Sequence, residues 1–313
     1  MKNKINVFLL LVLSGCTKFQ EFSPSFRSLN LFPSRYNIND CLVTPTNQLY
    51  FAYGKRWCCG LVALTDASFN TLKSDSIATG EISHLKQTNL GQLLAHGQNH
   101  TVYQQHSNNN TWTEVFRRGE AEFTGIEETD NQWIITSALN LANGQILQVN
   151  KQTLQLDTLT EYPNSFYGIT RLTPKRLIVY GYGLILKSED NGKSWAPTSL
   201  NGDIYKHASV IGSCAYIIGY FGSIYKSTDS GLTWFPISNG TPTTGLKMAK
   251  AHFVNEKQGY VIGENGLFMK TLDGGNSWQK SNAMTNQNLT SITNFKDSLL
   301  ITGQKGTVLM VAK

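Results

Sequence analysis

The chain is poor in charged residues and has no long apolar run beyond its first few residues. Charged side chains make up 15% of the 313 residues, against roughly 25% in an average soluble domain. The formal net charge of +6 is too mild to indicate a nucleic-acid partner. Hydrophobic residues still reach 40% and aromatic residues 11%, so the chain can bury a large core and is not predominantly disordered. Few charges, many aromatics and plentiful glycine favour an extracytoplasmic all-β protein.

Motifs of several enzyme and metal-binding classes are also missing. The sequence contains no CxxC, HExxH, GxSxG or Walker loop, and we expect neither a metal nor a cofactor. Beyond Cys16 there are only four cysteines, Cys41, Cys58, Cys59 and Cys214. Neighbouring cysteines such as Cys58 and Cys59 rarely bond each other because the geometry is strained. Free buried thiols and a bridge from Cys41 to Cys58 or Cys59 both stay open.

The N-terminus has the features of an export signal. Residues 1–15 combine Lys2 and Lys4 with the apolar run Ile5–Leu13, which is too short for a permanent membrane helix, and end in small residues. The letters LSGC, ending at Cys16, resemble a bacterial lipobox. That resemblance implies cleavage before Cys16 and acylation of this cysteine. The alternative is ordinary secretory cleavage beside an incidental cysteine.

Acylation would place the protein in the bacterial cell envelope. Each buried methylene contributes about 0.8 kcal/mol, so two or three chains anchor a protein permanently. Thr17 stands where an Asp would resemble an inner-membrane retention signal, which favours the outer membrane, with a periplasmic or surface-facing orientation. We expect residues 16–24 to be a lipidated tether and residues 25–313 to form one domain. Export also argues against a nucleic-acid partner.

The strongest signal in the chain is an internal repeat of about forty residues. Three segments share the Asp-box pattern Ser/Thr-x-Asp-x-Gly-x-x-Trp, and apolar strands with glycine pairs precede each of them. Degenerate copies upstream and a truncated copy at the C-terminus bring the total to seven. The pattern residues are Ser188, Asp190, Gly192, Trp195, Ser227, Asp229, Gly231, Trp234, Thr271, Asp273, Gly275 and Trp278.

The chemistry of these residues indicates a structural role. The carboxylate can accept hydrogen bonds from turn amides, the glycine suits a positive φ, and the tryptophan can pack between sheets. A calcium site is a poor alternative because each segment supplies a single carboxylate. We therefore assign the repeats to the fold rather than to an activity.

Four short strands on a forty-residue period are typical of one propeller blade. Seven copies predict an all-β, seven-bladed β-propeller. The last copy ends at its third strand, at residues 307–311, and residues 26–31 form a strand-like piece before the first copy. We expect this N-terminal strand to complete and close the last blade, which would protect both edges.

Tandem Asp-boxes resemble the sialidase-type (BNR) repeat superfamily. Within it, the segment from Thr271 to Trp278 and the seven-blade setting are similar to the photosystem II stability and assembly factor-like propellers. The resemblance covers residues 25–313 and implies a non-enzymatic binding or assembly protein. Its motifs mark the scaffold and nothing indicates a photosynthetic partner, so only the scaffold role is carried over.

A carbohydrate-active enzyme is the main alternative. Sialidases need an arginine triad and an Arg-Ile-Pro motif, which the early stretch Phe32-Pro-Ser-Arg35-Tyr36 lacks. Another glycosidase or a polysaccharide lyase needs paired carboxylates, or a base with cations, at the central pocket. The acidic residues expected near that face are Glu120, Glu122, Asp203 and Glu264.

Loops opposite the Asp-boxes form the predicted binding face. They interleave cations with aromatics, which suits an acidic peptide or a glycan. Lys55-Arg56-Trp57 is the favoured element, and Tyr167 and Lys247 fall on the same face. The other candidates are Arg35, Tyr36, Tyr182, Tyr220, Phe221, Lys206, His207 and Lys305.

Three hypotheses thus remain for the function. The favoured one is a lipid-anchored scaffold that binds an envelope protein or glycan without catalysis. The others are a carbohydrate-active enzyme and a purely structural envelope protein, which would lack a charged rim. His96 and His100 have the spacing of metal ligands, but the sequence offers no third ligand beside them.

Overall fold

The chain folds into small β-sheets joined by turns rich in glycine, asparagine and aspartate. The structure, a computed structural model, describes residues 20–313 except 99, 107–108, 120, 140–142, 238–242 and 244. The predicted signal peptide, Cys16 and Glu120 lie outside these described residues. Within the part of the chain that is described, no helix has the length and apolar character needed to cross a bilayer.

The strands are short and follow one another closely. In the first half they are β1 (Gln20–Phe22), β2 (Phe26–Ser28), β3 (Asn37–Val43), β4 (Leu49–Lys55), β5 (Cys59–Thr65), β6 (Thr71–Ala78), β7 (Ile82–Gln87), β8 (Leu93–Gly97), β9 (Thr101–His106), β10 (Thr111–Arg117), β11 (Glu122–Glu128), β12 (Gln132–Leu139), β13 (Asn143–Asn150) and β14 (Leu156–Tyr162).

The second half continues the same pattern and adds one 3-10 turn at Glu264–Gly266. Its strands are β15 (Phe166–Arg171), β16 (Leu177–Ser188), β17 (Ala196–Ile211), β18 (Cys214–Gly219), β19 (Ile224–Ser227), β20 (Phe235–Pro236), β21 (Met248–Phe253), β22 (Gly259–Gly263), β23 (Phe268–Thr271), β24 (Gln279–Ser281), β25 (Leu289–Phe295), β26 (Ser298–Gly303) and β27 (Val308–Ala312).

These strands form six sheets within the described residues, whereas the sequence predicted seven blades. Three sheets contain β3–β6, β7–β10 and β11–β14, and two contain β21–β24 and β25–β27, each with an added N-terminal strand. The remaining sheet has six strands, β15–β20. There is one sheet fewer than the predicted number of blades because β17 runs without a break from one repeat into the next. It pairs with β16 over residues 196–204 and with β18 over residues 205–211.

The N-terminal segment covers the outer edges of two sheets. β2 pairs antiparallel with β27, where the sequence predicted a strand at residues 26–31. β1 adds to β24 in parallel, within the stretch that the sequence assigned to a tether. The Phe22 ring lies 5.9 Å from that of Phe268, which holds β1 against its sheet. A paired edge strand leaves fewer backbone groups open to another chain.

Hydrophobic cores lie between facing sheets. Tyr50 and Ala52 of β4, for example, pack with Leu85 of β7. One core lies between the two halves of the six-stranded sheet, where Ile178 and Tyr205 belong to the same buried cluster. Full burial of each such large side chain contributes about 1.5–3 kcal/mol, so the interfaces between sheets supply much of the stability.

The three Asp-box turns have the same hydrogen bonds. The Ser188 hydroxyl donates to Asp190 at 2.8 Å and accepts from the Gly192 amide at 2.8 Å. The Asp190 carboxylate also accepts from the amide and hydroxyl of Ser194, at 2.9 and 2.6 Å. Gly192 has φ 91°, in the region that favours glycine. Equivalent bonds occur in the turns at Asp229 and Asp273.

The glycine that ends the second strand of a repeat permits a close approach. A Cβ at Gly181 would lie 2.2 Å from the Ser165 carbonyl oxygen, and one at Gly263 would lie 2.0 Å from that of Lys247. In both places the chain entering the innermost strand passes directly over the glycine. The loops before and after these strands therefore meet on one face, opposite the Asp-box turns.

The innermost strands form a closed ring. Contacts run from β3 to β7, β11, β15, β17, β21 and β25, and β25 contacts β3 again. The inner strand of the first repeat, β3, therefore contacts the inner strand of the last repeat, β25. The ring encloses a central channel.

Candidate binding site around the central channel

Every strand of the inner ring has a β-bulge, which lies near the start of the strand in all but β17. The register shifts by one residue after Ile38, Ile82, Phe123, Phe166, Tyr205, Met248 and Leu289. A bulge inserts one unpaired residue and redirects its side chain. The bulged residues, which we call the mouth ring, are Asn39, Ser83, Thr124, Tyr167, Lys206, Ala249 and Thr290. Lys206 is the only charged member of the mouth ring.

The next residue of each inner strand forms a second level of the channel. We call this level the hub ring, and its members are Asp40, His84, Gly125, Gly168, His207, Lys250 and Ser291. All but Ser291 line a cavity of about 260 Å³, together with most of the mouth ring. The polar members and the two glycines lie on different strands, so one side of the hub ring is polar and the other carries no side chains from this ring.

Asp40 connects several sheets at the polar side. Its carboxylate accepts hydrogen bonds from the Ser291 hydroxyl at 2.6 Å, the Lys250 ammonium at 3.0 Å and the Leu85 amide at 3.0 Å. Burial alone would raise the pKa of Asp40, but Lys250 and these hydrogen bonds lower it below its ordinary value. The charged carboxylate is therefore the stable form, and it joins β3 to β7, β21 and β25.

A second ion pair lies beside the first. Lys86 of β7 contacts Glu127 of β11 at 2.8 Å. The His84 and His96 rings lie 5.1 Å apart between the two pairs. Burial lowers the pKa of both histidines, that of His96 to about 3, so both are neutral at pH 7.

One hub-ring glycine makes room for an aromatic ring, and the other permits close approach of the next strand. A Cβ at Gly168 would lie 2.4 Å from the Tyr180 hydroxyl, and one at Gly125 would lie 2.9 Å from the Ile169 nitrogen. Tyr180 is buried and lines the channel. Burial raises its pKa to about 12, so its hydroxyl stays protonated.

Lys206 lies at the mouth of the channel among aromatic rings. Its ammonium is 3.7 Å from the centre of the Tyr167 ring and 5.6 Å from that of Tyr220. Burial lowers the pKa of Lys206 to about 8, against the opposing influence of Glu122 and Glu264. A buried cation with a shifted pKa in a cleft is a candidate for function.

A second cation–aromatic contact adjoins the first. The Lys247 ammonium lies 4.3 Å from the centre of the Tyr220 ring and 5.0 Å from that of Phe221. The Tyr220 hydroxyl donates to Glu264 at 2.5 Å, and Phe221 is 48% exposed. We call Tyr167, Lys206, Tyr220, Phe221 and Lys247 the mouth cluster. It presents two cations on a largely aromatic surface.

The predicted Lys55-Arg56-Trp57 loop lies on the same face as the mouth cluster. Trp57 is 78% exposed, and the Arg56 guanidinium carbon lies 5.3 Å from the centre of its ring. Arg56 also acts electrostatically on Glu122, as Lys206 does. Burial raises the pKa of Glu122, against the opposing influence of these cations.

The remaining predicted face residues have separate positions. Arg35 lies over Tyr36 at 5.0 Å, and Tyr36 packs edge-on against Tyr53 at 5.5 Å, so its ring is partly in the core. Lys305 is exposed. Tyr182 is 49% exposed. His207 does not lie on the outer face, because it lines the channel with its Nδ1 atom buried and without a hydrogen-bond partner.

The acidic candidates for catalysis do not form one group. Asp203 accepts from the amides of Ile204 and Phe221 and from Ser223, so it serves a turn. Glu264 accepts from Tyr220, and Glu122 lies beside other charges. Among the described residues, no cluster of three or more His, Cys, Asp or Glu side chains could hold a metal ion, and His96 instead contacts the Phe123 carbonyl at 3.0 Å.

The cysteines are also placed. Cys41, Cys58, Cys59 and Cys214 are free in the structure, and only Cys58 is exposed. Burial raises the pKa of the Cys41 thiol to about 12. The bridge left open by the sequence is therefore not formed.

Sequence reasoning missed the polar side of the channel. The residues concerned lie on strands whose sequence indicated only that they belong to the repeats, without any sign of a polar site. They are Asp40, His84, Lys86, Glu127 and Lys250. Aligning the seven inner strands on their bulges would have placed Asp40 and Lys250 at the same level. No alignment on the Asp-boxes could do so, because four repeats lack that pattern.

Comparison with known proteins supports the fold. The sequence model of a family described as photosynthesis system II assembly factor YCF48 matches residues 240–312. YCF48 from Cyanidioschyzon merolae has a similar structure, with a TM-score of 0.67, 12% identity, and coverage of 92% of this chain and 98% of that one. The fold is a β-propeller.

Other propellers give higher TM-scores at a similar sequence identity. A catalytically inactive virginiamycin B lyase from Staphylococcus aureus, crystallised with quinupristin, gives a TM-score of 0.76 at 11% identity, covering 92% of this chain and 99% of that one. The WD40 repeats of RRP9 give 0.72 at 11% identity, over 93% and 99%. No curated protein sequence matches the chain. At these identities the likeness extends to the fold alone.

Proposed function

We propose that the protein is a non-enzymatic binding scaffold whose partner is an anionic segment of another envelope protein. The observation that carries this proposal is the mouth cluster, in which Lys206 and Lys247 lie against three aromatic rings on the loop face. Cation-bearing aromatic surfaces suit acidic partners, and Tyr and Trp are common anchors of interfaces. Trp57 and Tyr182 extend this surface with exposed rings.

The similarity to an assembly factor over residues 240–312 supports the scaffold role. The arrangement of acidic residues supports the absence of catalysis, since Asp203 and Glu264 are already engaged. A glycosidase would need two free carboxylates facing each other across the pocket.

Attachment to the outer membrane through an acylated Cys16 is part of the same proposal. Gln20, only four residues later, is held at the edge of β24. A short tether would keep the propeller close to the bilayer, where envelope partners are concentrated. Mass determination of the membrane-extracted N-terminal peptide tests the acylation directly.

We also propose that the six-stranded sheet functions as two blades, which makes the propeller seven-bladed. Its halves pack face to face through the cluster that contains Ile178 and Tyr205. The β-bulges recur in seven inner strands. If the sheet is divided into two blades of four strands each, the long strands β16 and β17 each supply two of those strands. An experimental structure would test the angle between the two halves.

Affinity capture from native membranes tests the binding role. We compare the unaltered protein with Lys247→Glu/Phe221→Ala in the mouth cluster and with Arg56→Glu/Trp57→Ala in the neighbouring loop. The matched control is Lys193→Glu/Leu232→Ala, which changes an exposed lysine and an exposed apolar residue on the Asp-box face.

We expect specific partners to be lost from the first variant, reduced in the second and retained by the control. Equal capture by the mouth-cluster variant and the unaltered protein would contradict the proposed face. Absence of any specific partner would contradict the scaffold role and favour a screen of envelope glycans for binding and cleavage.

A further inference from the structure

Among the described residues that line the channel, one lysine forms no ion pair with a carboxylate. Of the cations that line it, Lys86 pairs with Glu127 at 2.8 Å and Lys250 with Asp40 at 3.0 Å. Within the described residues, no carboxylate oxygen lies within 4.0 Å of the Lys206 ammonium nitrogen, the limit for an ion pair. Three lysines and two carboxylates leave one positive charge in the channel.

The surroundings of Lys206 make an anion favourable there. Its ammonium is removed from much of the solvent and contacts the Tyr167 ring at 3.7 Å. Glu122 and Glu264 act on it only from a greater distance, and Glu264 already accepts from Tyr220. A cation that has lost part of its hydration gains free energy from a direct charged partner.

A second polar group beside Lys206 also lacks a partner. The Nδ1 atom of His207 is buried and makes no hydrogen bond. Burial keeps the pKa of His207 well below its usual value, so the ring is neutral, with one nitrogen able to donate. Gly125 and Gly168 line the same cavity as both residues.

We propose that the channel mouth binds a single carboxylate group, which accepts hydrogen bonds from the Lys206 ammonium and the His207 imidazole. The single unpaired lysine charge suits a monoanion better than a dianion. The Tyr167 ring offers a flat apolar wall for the body of the ligand. This site goes beyond the scaffold role, since a free acid would occupy it without any docked protein.

The size of the channel limits the ligand. Its volume of about 260 Å³ is below the roughly 300–1,000 Å³ of pockets for drug-sized molecules. The carboxylate therefore comes from a small monocarboxylic acid or from one acidic side chain of a partner segment. Both sources share the same recognition chemistry.

Calorimetric titration of the purified full-length chain with benzoate tests the site. Benzamide, of nearly the same shape but uncharged, is the matched probe. Two capped tripeptides, one with a central glutamate and one with glutamine, represent a partner side chain. We expect benzoate to bind at least tenfold more tightly than benzamide. Tighter binding of the glutamate peptide than of benzoate would assign the site to a protein partner, and the reverse to a free acid.

Variants connect the binding to the proposed residues. Lys206→Met should weaken benzoate binding at least tenfold, whereas Lys206→Arg should retain most of the affinity. Lys193→Met, on the opposite face, should leave the affinity for benzoate unchanged. Because Lys206 loses its proton above pH 8, the affinity should fall at higher pH in the unaltered protein but not in Lys206→Arg. Melting curves verify that each variant is folded.

Two results would overturn the proposal. One is equal affinity for benzoate and benzamide, and the other is unchanged benzoate affinity in folded Lys206→Met. Neither result bears on the membrane capture experiment, which uses Lys247 and Phe221. The carboxylate site and the scaffold role can therefore fail independently.

Discussion

Lys250 lies 3.0 Å from Asp40, although the two residues are 210 positions apart in the chain. The pair joins the first blade to a blade near the C-terminus, and Ser291 bridges it from a third strand at 2.9 Å from Lys250. Both side chains are largely buried. The hub of the propeller is thus fixed by charge as well as by apolar packing.

Asp40→Asn should destabilise the protein strongly. Removal of one partner leaves the other charge buried and uncompensated, which typically costs about 3–5 kcal/mol. Urea unfolding measures the loss, and the double variant Asp40→Asn/Lys250→Met should recover part of it. As a control, Asp75→Asn removes the partner of Lys73, which is more exposed than Asp40. This change should cost less than about 1 kcal/mol. Similar losses in the two single variants would refute the role assigned to Asp40.

Stability should fall as the pH drops from 7 to 5. Burial lowers the pKa of His84, His96, His207 and His252 in the folded protein. Below the ordinary value of 6.5 the unfolded chain therefore binds more protons than the folded one, and the free energy of unfolding decreases. A fully shifted histidine contributes about 1.4 kcal/mol per pH unit in this window.

His96→Gln tests this pH dependence at one position. The variant should reduce the slope of unfolding free energy against pH by about one such contribution. His106→Gln, at an exposed histidine, is the control and should leave the slope unchanged. Denaturant titrations at several pH values give both slopes, and an unaltered slope in His96→Gln would speak against a neutral, buried ring.

The three Asp-box tryptophans should differ in their importance. Trp278 is 2% exposed and lies 6.2 Å from the Phe253 ring, whereas Trp195 is only partly buried. Trp278→Ala should cost about 3–5 kcal/mol, as for other buried aromatic truncations, and Trp195→Ala should cost less. Thermal unfolding of the two variants measures the difference. A larger effect at Trp195 would mean that burial does not determine the ranking.

Gly168→Ala should disturb the glycine side of the hub ring. The new methyl group would lie 2.4 Å from the Tyr180 hydroxyl, and overpacking of this kind costs about 1–3 kcal/mol. The cost should shrink in a Tyr180→Val background, because the opposing ring is then absent. Unfolding measurements on the four proteins complete the cycle. Strictly additive effects would show that the methyl group and the ring do not meet.

The sequence predicted the propeller because its local signals repeat. The Asp-box turns and the glycines at strand ends depend on contacts between residues less than about forty positions apart, so each repeat shows them in its own sequence. The continuous strand β17 was missed because residues 201–203 are Asn-Gly-Asp, residue types that favour a turn over a strand. β1 was missed because three residues carry too little pattern to indicate a strand.

The candidate site was predicted only in part. Placing the loops on one face was enough to bring Lys206, Tyr220 and Phe221 together. His207 was assigned to the outer face because the bulge beside Lys206, which turns the next residue into the channel, leaves no trace in composition. The pairing of Asp40 with Lys250 depends on closure of the whole ring, which no local pattern encodes.

The pairing of β2 with β27 also has a consequence for folding. During synthesis, the outermost strand of the last sheet, β2, is made long before its partner β27. Neither this edge nor the Asp40–Lys250 pair can form until nearly the whole chain is available. Such distant contacts slow folding. The last sheet can therefore reach its native edge pairing only at a late stage of folding.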